Sequence, residues 1–248
     1  MQAGIVDVVM INGAGTGVTK DEMEACAAAL TIQACEHFAL PPPHGYGIGA
    51  RVRVGSGPFD IKPNEWVIAL LKNPTVPGAL GAHWQTTHGR PIAQVFTDMT
   101  AADGVGWSTV VSHELLEFLA DPNVARCVQS WDGRLYALEV ADAVEATSYT
   151  VHGVSLSNFV LPPYFEPVAN RSGLKLDWMG LIKEPLEILE GGYLSVIDWK
   201  AGGWVNIFNQ DKQPRAYRMN VHGRTKRRRL DWAQKQVDQA QSVGEVTT

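Results

Sequence analysis

The sequence contains little cysteine and no long apolar run. Its three cysteines, Cys26, Cys35 and Cys127, are an odd number and form no C-x-x-C pair in 248 residues. Secreted disulfide scaffolds and zinc ribbons depend on paired cysteines, so neither class is expected. No apolar stretch reaches the ~18 residues that a membrane-spanning helix needs. The start of the chain also has no basic and apolar signal region, so we expect cytoplasmic synthesis, reduced thiols and no membrane partner.

Acidic residues are missing from one segment near the end of the chain. Residues 212–229 hold eight of the 21 basic residues and no acid, which leaves 13 basic and 26 acidic residues elsewhere, a net charge of −13. This split predicts an acidic body with a basic arm. The densest part of the arm consists of Arg224, Lys226, Arg227, Arg228 and Arg229. These residues could contact nucleic-acid phosphates, although no aromatic residue lies among them for base stacking, or they could pack against an acidic protein neighbour. The alternative, which fits most such runs, is a solvated tail with no partner.

Hydrophobic patterning predicts an α+β fold with a mixed sheet. The predicted strands cover residues 4–12, 49–54, 65–71 and 91–97, with a glycine-rich connection at 77–83. Thr19 and Glu22 form a capping box that begins a helix extending to about His37, and a second helix is expected at about 107–120. The glycines at 13, 15 and 17 also suggest a dinucleotide-binding turn, but they do not fit the G-x-G-x-x-G spacing, so a plain turn is favoured.

Short strands and turns follow Pro122. Strands are predicted at 134–140 and 148–155, and a late hairpin at 191–197 and 203–208. Together with the first half of the chain, this pattern predicts a helix-covered sheet followed by a β-rich part.

The motif with the clearest chemistry is His113-Glu114-Leu-Leu-Glu117, within the second predicted helix. Residues four apart lie side by side on a helix, so His113 and Glu117 can occupy two corners of a tetrahedral zinc site. Glu114 lies one position further round and can serve as the general base toward a metal-bound water. The alternative is a solvated helix face, because the usual zinc motif has histidine at the fifth position.

Further candidates lie before and after this motif. An acidic stretch that contains Glu139 and Asp142 could supply the third ligand, and strand alternation lets only one of the two point inward, for which we take Asp142. Asp121 is expected to cap the helix end or to bind a nearby backbone amide. Tyr149 could steady an oxyanion, and His83, in a loop, could line the site.

Several short motifs occur in a distinctive order along the chain. They are residues 78–83, 89–96, 112–117 with 121–122, 139–142, 154–162 and 191–193. With them, the chain resembles a family of zincin-like, metallopeptidase-like proteins of phage and bacterial genomes. The resemblance implies a zincin-type fold with a metal site on the helix of His113. We expect three parts along the chain: a zincin-like domain (1–165), a β-rich extension packed on it (166–211), and a basic arm with a tail (212–248).

Because position 117 has glutamate in place of histidine, the sequence does not decide which metal is bound, if any, or whether the protein is an active peptidase. A carboxylate makes the site harder and more anionic, which favours calcium or manganese over zinc, or no metal at all. One hypothesis is a phage-associated structural or attachment protein that contacts other subunits of a virion. The other is an active metal-dependent peptidase with Glu114 as the general base. The sequence slightly favours the first.

Overall fold

The computed structural model describes residues 4–129, 133–166, 173–198 and 203–209. The predicted basic arm, from Arg224 and Lys226 to Arg227, Arg228 and Arg229, lies outside the described residues. Within these ranges the chain has an α+β fold, with a five-stranded sheet, a four-stranded sheet and a β-hairpin around three α-helices.

The five-stranded sheet contains the first five strands of the chain. They are β1 (Gly4–Asn12), β2 (Ile48–Gly55), β3 (Trp66–Leu71), β4 (Gly81–Gln85) and β5 (Pro91–Phe96). Their order is β2-β1-β3-β5-β4, and all neighbours are parallel except the antiparallel pair β4 and β5. The strand β4 therefore forms an antiparallel edge on a parallel sheet.

Three α-helices accompany this sheet. They are α1 (Lys20–Ile32), α2 (Thr97–Ala102) and α3 (Trp107–Ala120). The predicted capping box is confirmed, because Thr19 Oγ1 accepts the backbone N–H of Glu22 and Glu22 Oε2 accepts that of Thr19. The helix then continues as a π-helical segment, Gln33–Phe38, to the end that the sequence predicted.

The helix α3 is the central element of the core. It packs against β4 and β5 on one side and against a later strand, β9 (Val154–Ser157), on another. Every residue from Thr109 to Ala120 is buried. A solvated helix face, the alternative considered for the motif of His113, is therefore wrong: the polar residues of α3 lie in the interior.

The second half of the chain contributes two smaller sheets. Their strands are β6 (Cys127–Gln129), β7 (Leu135–Ala137), β8 (Ser148–Val151), β10 (Tyr193–Asp198) and β11 (Gly203–Phe208). The four-stranded sheet has the order β11-β10-β7-β6, and β9 pairs with β8 in a hairpin. The pairing of β10 with β7 joins the predicted β-rich extension to the preceding domain within one sheet.

Three sequence predictions of local structure need correction. The single strand predicted at 148–155 is a hairpin, because β8 ends at Val151 and β9 begins at Val154 and pairs back on it. The glycine-rich connection at 77–83 contains the first half of β4, whose alanine and glycine residues have weak strand propensity and which is defined by its pairing with β5. The strand predicted at 134–140 ends at Ala137, and Asp142–Val144 form a 3-10 turn. None of the helices in the described residues is both long and apolar enough to cross a membrane.

Candidate metal centre

The helix α3 places His113 and Glu117 on one face, one turn apart. The Nε2 atom of His113 lies 3.2 Å from Oε1 of Glu117. Both side chains are buried, and that of Glu117 is fully buried. The helical backbone fixes this geometry, because the side chains of residues four positions apart project in nearly the same direction.

The 3-10 turn at 142–144 brings Asp142 to the same place. Its Oδ1 atom lies 3.3 Å from Nε2 of His113. The backbone on either side of Asp142 is held by neighbouring segments, since Val140 O accepts the N–H of Val160 and Ala143 O accepts the N–H of Leu189. Asp142 is therefore presented by a fixed turn.

Gly192 makes the packing around this turn possible. A β-carbon at position 192 would overlap the carbonyl oxygen of Ala143 and would lie 2.8 Å from that of Asp142. Only glycine lets the segment before β10 approach the turn so closely.

Glu139 also reaches this region, which corrects the argument that only one of the two acids can point inward. Its Oε2 atom lies 3.7 Å from Nε2 of His83, while Asp142 faces His113. Strand alternation does not apply here because β7 ends at Ala137, before both acids. The chain bends through a turn, and both carboxylates face the interior.

His83 lies at the centre of β4 instead of in a loop. Its Nδ1 atom is 2.9 Å from Oε2 of Glu114 and 3.5 Å from Oε2 of Glu117. The side chain of His83 is only 2% exposed. The packing of β4 against α3 therefore places the imidazole of His83 beside the carboxylates of Glu114 and Glu117.

Gly81 permits the close contact between β4 and α3. A β-carbon at position 81 would lie 2.7 Å from Oε1 of Glu114 and 2.9 Å from a methyl group of Val110. Any larger residue would displace the Glu114 carboxylate. The first residue of β4 thus helps to set the position of the expected general base.

Five of these residues form two overlapping groups that could hold a metal ion. One group is His113, Glu117 and Asp142, and the other is His83, Glu114 and Glu117. In each group, one possible ligand atom per residue lies within 4.8 Å of the others. Glu117 belongs to both groups.

The electrostatics of this cluster are strongly negative. Four carboxylates face two imidazoles, so even two protonated histidines would balance only half of the full negative charge. Burial disfavours the protonated form of His83, but the hydrogen bond to Glu114 and the charges of Glu139, Glu114 and Glu117 outweigh it, so the pKa of His83 is raised. A cation placed here would gain a large electrostatic interaction.

A small pocket borders the cluster. His113 and Glu114 line it together with Gly81 and Thr109, and Tyr193 of β10 forms another part of its wall. The first strand of the late hairpin therefore contributes to the wall of this pocket.

Two other predicted site residues have different neighbours. Asp121, at the C-terminal end of α3, accepts the backbone N–H of Arg126 at its Oδ2 atom. The hydroxyl of Tyr149 lies 2.8 Å from Nδ1 of His37, in an aromatic cluster with Trp178. The structure thus engages Tyr149 with the π-helical segment after α1.

Among these residues, the position of His83 was predicted least well from the sequence. A single histidine in a glycine- and alanine-rich segment resembles a loop residue, so the sequence gives little indication that His83 lies in a strand. The pairing of Gly81–Gln85 with β5 places His83 beside α3. In the sequence, only the apolar residues of β5 indicate a strand there, and nothing in the segment of His83 itself indicates the pairing.

A comparison of the chain with protein-family models, with curated proteins and with solved structures gave no match. The class of site is therefore defined by its geometry: a buried histidine–carboxylate cluster between a helix, an edge strand and a turn, able to hold a metal ion.

Proposed function

We propose that this chain is a metal-dependent hydrolase with a zincin-like site, in which His113, Glu117 and Asp142 hold one divalent cation. The spacing of their atoms carries the proposal. Ligands 2.0–2.2 Å from a tetrahedral zinc ion are about 3.3–3.6 Å apart. Nε2 of His113 is 3.2 Å from the Glu117 oxygen and 3.3 Å from the Asp142 oxygen.

The donor set of this group favours zinc over calcium. Calcium takes six to eight oxygen ligands at about 2.3–2.6 Å, which is more oxygen than His113, Glu117 and Asp142 supply. Imidazole is a good ligand for zinc, and two carboxylates complete a compact anionic set. Manganese, which accepts both donor types, is the second candidate.

Glu114 is suited to proton transfer beside this group of ligands. A bound cation would act as a Lewis acid and would lower the pKa of a water molecule in the pocket. Glu114 would accept the proton of the attacking water and pass it to the leaving amine. Its Oε2 atom is held by His83, while Oε1 lies toward Gly81, which lines the pocket.

A peptide is the substrate class that the sheet favours. The strand β4 lies at the end of the sheet order, so within the described residues its outer backbone side has no strand neighbour in that sheet. An extended peptide could pair with this edge and pass the pocket beside Glu114. The zincin-like resemblance agrees with this arrangement.

The predicted role in a phage particle depends on different residues. It rests on the family resemblance and on the charge of the basic arm, which lies outside the described residues. Attachment to other virion subunits, with or without contact to nucleic acid, stays a prediction and is compatible with a hydrolytic site.

The proposal is tested by metal analysis and by cleavage assays on the full chain. We expect the purified protein to bind zinc, and His113→Ala and Asp142→Asn to weaken zinc binding at least tenfold. Glu114→Gln should retain the ion held by His113, Glu117 and Asp142, and should lose cleavage of a fluorogenic peptide library or of an unfolded protein by about 100-fold or more.

Glu65→Gln is the matched control, because Glu65 is also a buried carboxylate but is paired with Arg53 at a distance of 2.6 Å. It should change neither zinc binding nor cleavage. A wild-type chain that binds no divalent metal would overturn the proposal. Full activity in Glu114→Gln would remove Glu114 as the base.

A further inference from the structure

Glu117 directs its two carboxylate oxygens toward two different histidines. Oε1 lies 3.2 Å from Nε2 of His113, and Oε2 lies 3.5 Å from Nδ1 of His83. A carboxylate that bridges two metal ions has this arrangement, with one oxygen for each ion. In two-metal sites the ions are about 3.5–4 Å apart, a distance that one carboxylate can span.

The second histidine has the surroundings of a metal ligand. Nδ1 of His83 faces the oxygens of Glu114 and Glu117, at 2.9 Å and 3.5 Å. On the other side of the ring, Nε2 is buried, makes no hydrogen bond within the described part of the chain, and lies 3.7 Å from Glu139. Metal-binding imidazoles commonly have a carboxylate on the side away from the ion.

The spacing around His83 also fits a small divalent ion. Adjacent ligands of an octahedral ion with bonds of 2.0–2.1 Å are about 2.8–3.0 Å apart, and those of a tetrahedral zinc ion about 3.3–3.6 Å. The distances from His83 to Glu114 and to Glu117 both lie within the range of about 2.8–3.6 Å that these two geometries span.

We infer that the site is dinuclear: a second divalent cation is held by His83, Glu114 and Glu117, and Glu117 bridges it to the first ion. This inference rests on the proposed function for the first position. It explains the departure from the usual zinc motif, because a histidine at position 117 offers one nitrogen to one ion, whereas a glutamate offers an oxygen to each. His83 binds as a neutral imidazole that releases its Nδ1 proton to solvent and keeps its Nε2 proton toward Glu139.

The number of ions bound by the full chain tests the inference. Isothermal titration and elemental analysis with zinc, and separately with manganese, should give two ions per wild-type chain. His83→Ala should bind one ion. Glu117→His, which restores the usual zinc motif, should also bind one. In the manganese-loaded wild type, electron paramagnetic resonance should show a spin-coupled pair, which is lost in both variants.

His88→Ala is the control, since it removes an exposed imidazole from the loop after β4 and should leave two ions bound. Binding of one ion by the wild type would overturn the dinuclear site and leave the proposed function intact. Binding of no ion would overturn both. Two ions in the wild type and still two in His83→Ala would show that the second ion lies elsewhere. The wild-type stoichiometry decides the question even if one variant fails to fold.

Discussion

At the scale of single residues, the site depends on positions where a side chain would not fit. Gly81 and Gly192 carry no chemistry, yet each lies where a β-carbon would meet the cluster or the turn that presents it. Protein interiors are packed closely enough that a single added methyl group must displace a neighbour. The positions of Glu114 and Asp142 are therefore set partly by the absence of side chains around them.

Gly81→Ala tests this dependence at Glu114. The added methyl group would lie 2.7 Å from Oε1 and 2.9 Å from Cγ of Glu114, so the carboxylate must move. We expect peptide cleavage to fall at least tenfold, zinc binding at His113 to remain within a few-fold, and unfolding free energy to decrease by about 1–3 kcal/mol, the usual cost of overpacking. Cleavage assays, zinc titration and urea denaturation measure the three quantities.

Gly4→Ala is a suitable control for this variant. A β-carbon there would meet only one atom, at 4.0 Å, so neither cleavage nor stability should change appreciably. If Gly81→Ala cleaves peptides as fast as the wild type, the close contact between β4 and α3 does not position Glu114.

At the scale of elements, α3 is fixed to its surroundings by a buried polar junction. Ser112, adjacent to His113, donates a hydrogen bond to Oε1 of Gln33 and accepts one from the backbone N–H of Ser157. Gln33 in turn donates to the carbonyl oxygen of Ser157. This closed set joins α3 to the π-helical segment and to β9, so it sets the position of the helix that carries the motif.

Ser112→Ala should break this junction. It leaves the N–H of Ser157 and Oε1 of Gln33 without their present partner, and both residues are fully buried, so we expect a loss of about 2–3 kcal/mol in unfolding free energy. Urea denaturation would measure it. Ser108→Ala removes a hydrogen bond from the same helix to Ser155 O at a part-buried position and should cost less, about 1 kcal/mol. If the two variants lose equal amounts of unfolding free energy, the hydrogen bonds of Ser112 contribute no more to stability than the single bond of Ser108, and the proposed importance of the junction is wrong.

Much of this element structure could be predicted from the sequence, for physical reasons. The capped start of α1, the strand β1 and the limits of α3 follow from local patterns, and the structure has them at the predicted positions. The edge strand β4 does not follow, because a segment rich in glycine and alanine becomes a strand only through a partner far along the chain. The helix motif was visible in the sequence, but its contact with His83 depends on that pairing.

At the scale of the whole molecule, the cluster concentrates negative charge in the interior. Four of the carboxylates in a chain of net charge −5 lie between α3, β4 and the segment that leads to the turn at 142–144. Buried like charges repel one another strongly in a medium of low dielectric constant. We therefore expect the fold as a whole to depend on the cation that we propose for this cluster.

Removal of metal should then lower the stability of the wild type more than that of a neutralised variant. A ligand present at about 1,000 times its dissociation constant stabilises the native state by about 4 kcal/mol, which for this length is about 8–16 °C in Tm. Calorimetry should show that loss when a chelator is added to the wild type. Asp142→Asn removes one buried charge, so it should melt higher than the wild type in chelator and lower in zinc. If neither chelator nor zinc changes the Tm of the wild type, the prediction is wrong, because the fold then tolerates its buried carboxylates without any cation.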